Sequence, residues 1–194
     1  MKIALTFDDG PHYKYTAEIL DILEEYDVRA TFFVIGSNAV KQPSLIEREL
    51  AEGHEVENHT YGHVYLKKLC DDDIKSQVMD NESTIAGIAD YTTRLIRPPG
   101  GIYDERLPKI ASEMGYKIVL WSVDTCDWEH KPSKRIAENV LDNVKAGDII
   151  LMHDFIGRNS PTPEALKIML PELIERGYKF VTVSELIELG NCGE

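Results

Sequence analysis

Two adjacent carboxylates, Asp8 and Asp9, end the apolar run Ile3-Ala4-Leu5-Thr6-Phe7 and are followed at once by Gly10-Pro11. Neighbouring acids at a strand end repel each other, and are tolerated where a cation or basic side chain sits beside them. An acidic turn is the plain alternative, since Asp is common in turns. Downstream, His59-Thr60-Tyr61-Gly62-His63 places two histidines four residues apart, so one helical turn or a compact loop can aim both at one ion. Alone, such a pair is more often two surface histidines than a metal site. With Asp9 it makes a set of two imidazoles and one carboxylate, which leaves positions open for water and substrate, as a catalytic metal requires. These donors suit Zn, Co, Ni or Fe more than Ca or Mg, with zinc the first expectation. Asp8 is then left beside the ion, able to take a proton from an attacking water.

The elements that must position these groups alternate in type. Helical stripes are expected at 17–26, 44–52, 71–89, 104–114, 133–144, 162–176 and 184–189, with Asp71 as an N-cap. Between them lie strand-like runs at 3–7, 30–35, 54–57, 94–96, 116–123, 148–152 and 179–183. Repeating βα units imply a parallel sheet covered by helices, closed or partly closed into a barrel; an open doubly wound sheet is the alternative. One domain is expected over 1–189, with 190–194 as a tail. Asp8 and Asp9, His59 and His63, Arg97, Asp124 and Asp127, and His153 and Asp154 all fall at the C-terminal ends of expected strands. That is the end which carries the active site in a βα barrel.

The 194 residues carry a net charge of −13, which argues against nucleic acid or anionic membrane as a partner. No apolar run reaches the length of a membrane helix. Cys70, Cys126 and Cys192 match no zinc spacing and are expected to be free thiols. The chain opens directly on a strand, so it is expected to be either intracellular or a module of a longer protein.

Five ordered motifs make the sequence resemble the polysaccharide deacetylases, the NodB-homology or carbohydrate esterase family 4 proteins. They are Thr6-Phe7-Asp8-Asp9-Gly10-Pro11, His59-Thr60-Tyr61-Gly62-His63, Arg97-Pro98-Pro99-Gly100-Gly101, Asp124-Thr125-Cys126-Asp127-Trp128 and Leu151-Met152-His153. The resemblance spans nearly the whole chain. It implies a distorted (β/α)7-type barrel and metal-dependent hydrolysis of N-acetyl groups on polymers containing N-acetylglucosamine (GlcNAc). Carried over by position, it implies Asp8 as general base and Asp9, His59 and His63 as metal ligands. Arg97 would orient Asp8, and His153 would be the general acid, tuned by Asp127. The Gly100 N–H would stabilise the oxyanion, while Trp128 and Leu151 would wall the acetyl pocket. Pro99, within the third motif, and Tyr13, just past the first, are further candidates for substrate contact.

One departure stands out. The family usually has an aromatic residue where Gly100 stands, so a ring that would flank the sugar is missing. Glycine keeps the N–H, however, and the chemistry should survive. Trp121 is expected in the core, His54 as structural and His130 on the rim. Ser122 and Thr125 are expected to be structural, not nucleophiles. Peptidoglycan is the first expected substrate, with chitooligosaccharides or an O-acetyl ester such as acetylxylan as alternatives, and a metal-free carbohydrate-binding domain as the non-enzymatic one. Such substrates imply an extracellular or cell-surface catalytic domain. It is expected to be a monomer with no membrane contact of its own.

Overall fold

A computed structural model describes residues 1–157 and 159–191, with the side chain of 191 excepted. Eight strands run through it: β1 (Lys2–Asp8), β2 (Thr31–Val34), β3 (Glu55–Asn58), β4 (Leu95–Ile96), β5 (Lys117–Ile118), β6 (Val123–Asp124), β7 (Ile149–His153) and β8 (Lys179–Phe180). The helices are α1 (Tyr15–Glu25), α2 (Gly36–Ala39), α3 (Pro43–Ala51), α4 (Asp71–Ala89), α5 (Arg106–Glu113), α6 (Ser133–Asn143), α7 (Thr162–Glu175) and α8 (Val183–Asn191). Every strand pairing is parallel, in the order β5-β4-β3-β2-β1-β7-β6, with β8 beside the start of β1. This is a distorted, partly closed βα barrel: among the described residues no pairing joins β5 to β6.

Strand alternation decides which side chains enter the barrel. Ile3, Leu5 and Phe7 of β1 join the large core beneath the helices, together with Phe32, Val56, Ile150 and Met152. Ala4, Thr6 and Asp8 therefore face inward. Phe33 and Ile149 do the same from β2 and β7, packing with Ala4 in a second cluster. In register, Asp8 sits opposite Phe33 on one side and His153 on the other. The period of two thus sends the last residues of β1 and β7 into one mouth.

The structure differs from the sequence-based expectation in several places. The strand expected over 116–123 breaks into β5 and β6, and Val119–Ser122 form no ladder. Two of their carbonyls accept from Arg97 instead: Val119 O from Nε at 3.4 Å and Leu120 O from Nη2 at 3.2 Å. The short α2 was not expected; it follows β2 directly and donates from Asn38 Nδ2 to the backbone carbonyl of Asp9 at 3.0 Å. Asp71 is the first residue of α4 rather than its cap, which is Cys70, without a side-chain bond. The three acids Asp71, Asp72 and Asp73 still occupy the first turn, where the helix dipole favours negative charge. Helix α8 runs to Asn191, past the expected boundary at 189. Cys70 and Cys126 are free thiols, whereas Cys192 lies outside the described residues.

Candidate active site

The mouth of the barrel holds a cavity of about 340 Å³ lined by Asp8, Asp9, His59, His63, Asp124 and His153 on its polar side. Tyr65, Gly100, Ile102, Trp121, Trp128 and Leu151 form the rest of the wall. Pro99 is buried and does not line it. Tyr13 lies in a separate cleft with His12, Lys41 and Phe155, so the structure does not bring it to this cavity. Trp121, expected in the core, lines the wall instead, because the break between β5 and β6 leaves it on the rim. Asp154 turns away from its neighbour His153, accepts a hydrogen bond from Thr16 Oγ1 and is fully buried. Burial raises its carboxyl to about 7. A side chain at Gly10 would collide with that carboxylate, which explains the glycine after the acid pair.

Asp9, His59 and His63 converge. Their ligand atoms lie within 4.8 Å of one another. His63 Nε2 is 3.0 Å and His59 Nε2 3.3 Å from Asp9 Oδ1. His59 Nδ1 lies 2.7 Å from the Arg97 carbonyl and donates to it, which aims the lone pair of Nε2 at the carboxylates. Neutral imidazole nitrogen and carboxylate oxygen are both acceptors, so something positive must lie among them. Asp9 Oδ1 is buried with no hydrogen-bond partner among the described residues. This donor set fits a divalent metal with open coordination positions. Burial by itself would raise the Asp9 carboxyl, but positive charge there, carried by His59 and His63 when no metal is bound, holds it well below the usual range.

The loop carrying the histidines is held from α4. Gln77 O accepts from Tyr61 N at 2.9 Å, and Gln77 Oε1 accepts from Gly62 N at 2.8 Å. Asn81 Nδ2 donates to Thr60 O at 2.7 Å and to Val34 O at 2.8 Å. Asn58 Oδ1 accepts from Thr60 N at 2.9 Å. These bonds sustain left-handed backbone at Thr60 (φ 67°) and His63 (φ 52°), which non-glycine residues rarely adopt. Sequence reasoning missed Asn58, Gln77 and Asn81. For Gln77 and Asn81 the only signal was two polar residues one helical turn apart on α4.

Two buried ion pairs flank the metal set. Arg97, fully buried, donates from Nη1 to Asp8 Oδ1 at 2.7 Å and to Thr6 Oγ1 at 2.8 Å, and its guanidinium stacks 4.0 Å from the Phe33 ring. Asp8 Oδ2 lies 3.7 Å from His59 Nε2. On the other flank, His153 Nδ1 is 2.7 Å from Asp127 Oδ1, while Asp127 Oδ2 accepts from His153 N and Thr162 Oγ1, each at 2.8 Å. This leaves Nε2 of His153 for the cavity. Burial would lower the His153 imidazole, but Asp127, with smaller help from Asp8 and Asp9, raises it to about 9. Gly100, in the 3₁₀ turn Pro99–Gly101, lines the cavity.

Fold and site together define the class: a βα-barrel hydrolase with a set of donors that could hold a metal ion, a carboxylate base candidate and an imidazole acid candidate at one mouth. The family model described as polysaccharide deacetylase matches residues 1–119. The chain belongs to the polysaccharide deacetylase family.

A peptidoglycan-N-acetylglucosamine deacetylase of Bacillus cereus is 42% identical over 95% of this chain and 87% of its own length. A family 4 acetyl xylan esterase from Clostridium thermocellum, solved with a cobalt ion, is 35% identical, covers 97% of this chain and 91% of that chain, and superposes with a TM-score of 0.92. A CE4 family pseudoenzyme from Bacillus anthracis is 31% identical over 95% of this chain and 64% of that chain, at a TM-score of 0.88. The same fold thus occurs with and without activity, so the functional reading must rest on the residues in the cavity.

Proposed function

We propose that the protein is a metal-dependent N-deacetylase acting on GlcNAc residues of peptidoglycan and releasing acetate. The carrying observation is the conjunction, in one cavity, of an Asp9-His59-His63 metal set with two distinct buried pairs, Arg97–Asp8 and Asp127–His153. A pseudoenzyme or simple binding domain has no need of a separate base and acid on either side of a metal set. The 42% identical Bacillus cereus relative supports the choice of amide and of peptidoglycan. A cell-wall substrate places the working protein outside the cytoplasm. Among the described residues, no helix is long and apolar enough to cross a membrane. Zinc is the proposed native ion, with Co, Ni and Fe as the other ions this donor set accepts.

Asp9, His59 and His63 would hold the ion, which supplies Lewis acidity and acidifies bound water. Asp8 takes the proton of the attacking water, its carboxylate held in place by Arg97. The Gly100 N–H donates to the oxygen that gains charge as the amide carbon becomes tetrahedral. His153 Nε2 gives a proton to the departing sugar nitrogen, and Asp127 keeps the imidazole charged until then. Leu151 and the half-exposed Trp128 wall the space for the acetyl methyl group.

The test incubates zinc-loaded and chelated protein with acetylated peptidoglycan, GlcNAc oligomers and acetylxylan, and measures acetate. Metal-dependent release from peptidoglycan is expected. Release from xylan alone would reassign the protein to ester hydrolysis, and no release from any of the three would end the enzymatic reading.

A further inference from the structure

Gly100 and Gly101 both have left-handed backbone, with φ of 64° and 68°. A Cβ at Gly100 would lie 3.3 Å from the Tyr65 ring, and one at Gly101 only 2.7 Å from the Trp121 ring. The glycine pair therefore lets two aromatic rings from other segments close directly on the backbone beside the cavity. Tyr65 comes from the loop between β3 and α4. It fills the wall next to Gly100, where the chain itself carries no side chain.

That ring is held in place from below. Tyr65 immediately precedes a 3₁₀ turn, Leu66–Lys68, whose Leu66 is buried with Ile74, Leu107 and Ile110. Arg106 donates to Leu69 O at 2.9 Å and to Lys67 O at 3.4 Å, and is itself paired with Asp104 and Asp71. Lys68 Nζ stands 5.5 Å from the ring centre. Yet Tyr65 is 46% exposed. An anchored, half-exposed ring that lines the cavity is poorly explained by stability alone.

We infer that Tyr65 is the carbohydrate-facing ring of this cavity, its open face receiving the C–H face of the sugar that bears the reacting acetyl group. This rests on the deacetylase reading above. Tyr65 contributes to holding the sugar and not to the chemical step, so it acts as a positioning residue whose loss is felt in KM.

Zinc-loaded wild type, Tyr65→Ala, Tyr65→Leu and Tyr65→Phe are assayed for acetate release from soluble GlcNAc oligomers. Loss of an aromatic face is expected to raise KM about 3- to 10-fold in the Ala and Leu variants, with kcat within about 2-fold of wild type. The Phe variant, which keeps the ring, should stay within about 2-fold in both constants. Leucine separates stacking from simple filling of space. Wild-type KM in the Leu variant, unchanged KM in the Ala variant, or a loss confined to kcat would each overturn the inference, the last by showing that the ring only braces the Gly100 backbone. If wild type releases no acetate from any acetylated glycan, the deacetylase reading itself falls, and this inference with it.

Discussion

Arg97 and Asp8 meet inside the barrel, Nη1 to Oδ1 at 2.7 Å, with the guanidinium wholly cut off from solvent. The same guanidinium donates to Leu120 O at 3.2 Å, in the segment where the barrel lacks a ladder between β5 and β6. One side chain thus orients the base candidate and satisfies a carbonyl at the open seam.

Removing Arg97 should therefore damage stability and turnover together. Arg97→Ala leaves a buried carboxylate unpaired, and a loss of about 3–5 kcal/mol is expected in urea denaturation. Arg97→Lys keeps the charge but not the planar fork, so it cannot serve Asp8, Thr6 and Leu120 at once. Its kcat should fall while much of the stability is kept. An Arg97→Lys enzyme with wild-type kcat would show that the orientation of Asp8 does not matter.

Asp8 and Asp9 are adjacent, yet their surroundings assign them different work. Asp9 Oδ1 is shared between two imidazoles, whereas Asp8 Oδ1 is taken by Arg97. Asp8→Asn should lower kcat about 10²- to 10⁴-fold, the usual scale for losing a general base, and keep bound zinc. Asp9→Asn should weaken zinc binding itself. Metal content by mass spectrometry after dialysis, set beside kcat, checks both; equal zinc loss in the two variants contradicts the division.

The Asp127–His153 pair makes a prediction with a definite sign. Asp127 raises the imidazole from 6.5 to about 9. A group whose folded value lies above its unfolded one stabilises the fold fully below pH 6.5, and that contribution fades as pH rises through about 9. Catalysis follows the same direction, because the acid must be protonated. In Asp127→Asn the basic limb of the kcat profile should move to lower pH, with kcat reduced throughout. A nearby dication pulls the imidazole value down in both proteins, so the comparison is made between two zinc-loaded enzymes. An unmoved basic limb would mean that His153 is not the group responsible for it.

The barrel and the metal set were legible because their signals are local. Strand alternation carries Asp8 and His153 inward, and the four-residue spacing of His59 and His63 sits within one loop. The seam was not legible: Tyr116 to Val123 reads as one strand-like run, while the carbonyls of Val119 and Leu120 within it accept from Arg97, distant in sequence. Trp121 was misread for the same reason, since its place on the wall depends on that break. Tyr65 and Asn81 act across gaps in sequence, on Gly100 and Thr60, and nothing near them in the chain marks the contact.

Chelation should separate activity from folding. The metal set lies at the mouth, above a core built from Phe7, Phe32, Val56 and Met152, none of which depends on the ion. Stripped protein is therefore expected to keep its cooperative thermal transition and its far-UV circular dichroism while losing acetate release. Its melting temperature should drop, because a ligand that binds only the folded state stabilises it in proportion to the logarithm of its concentration over Kd. Added zinc or cobalt should restore both properties, and Asp9→Asn should show little zinc-dependent rise in melting temperature. Activity that survives complete metal removal would mean that Asp8, Arg97 and His153 suffice, and would leave Asp9, His59 and His63 without the task assigned to them.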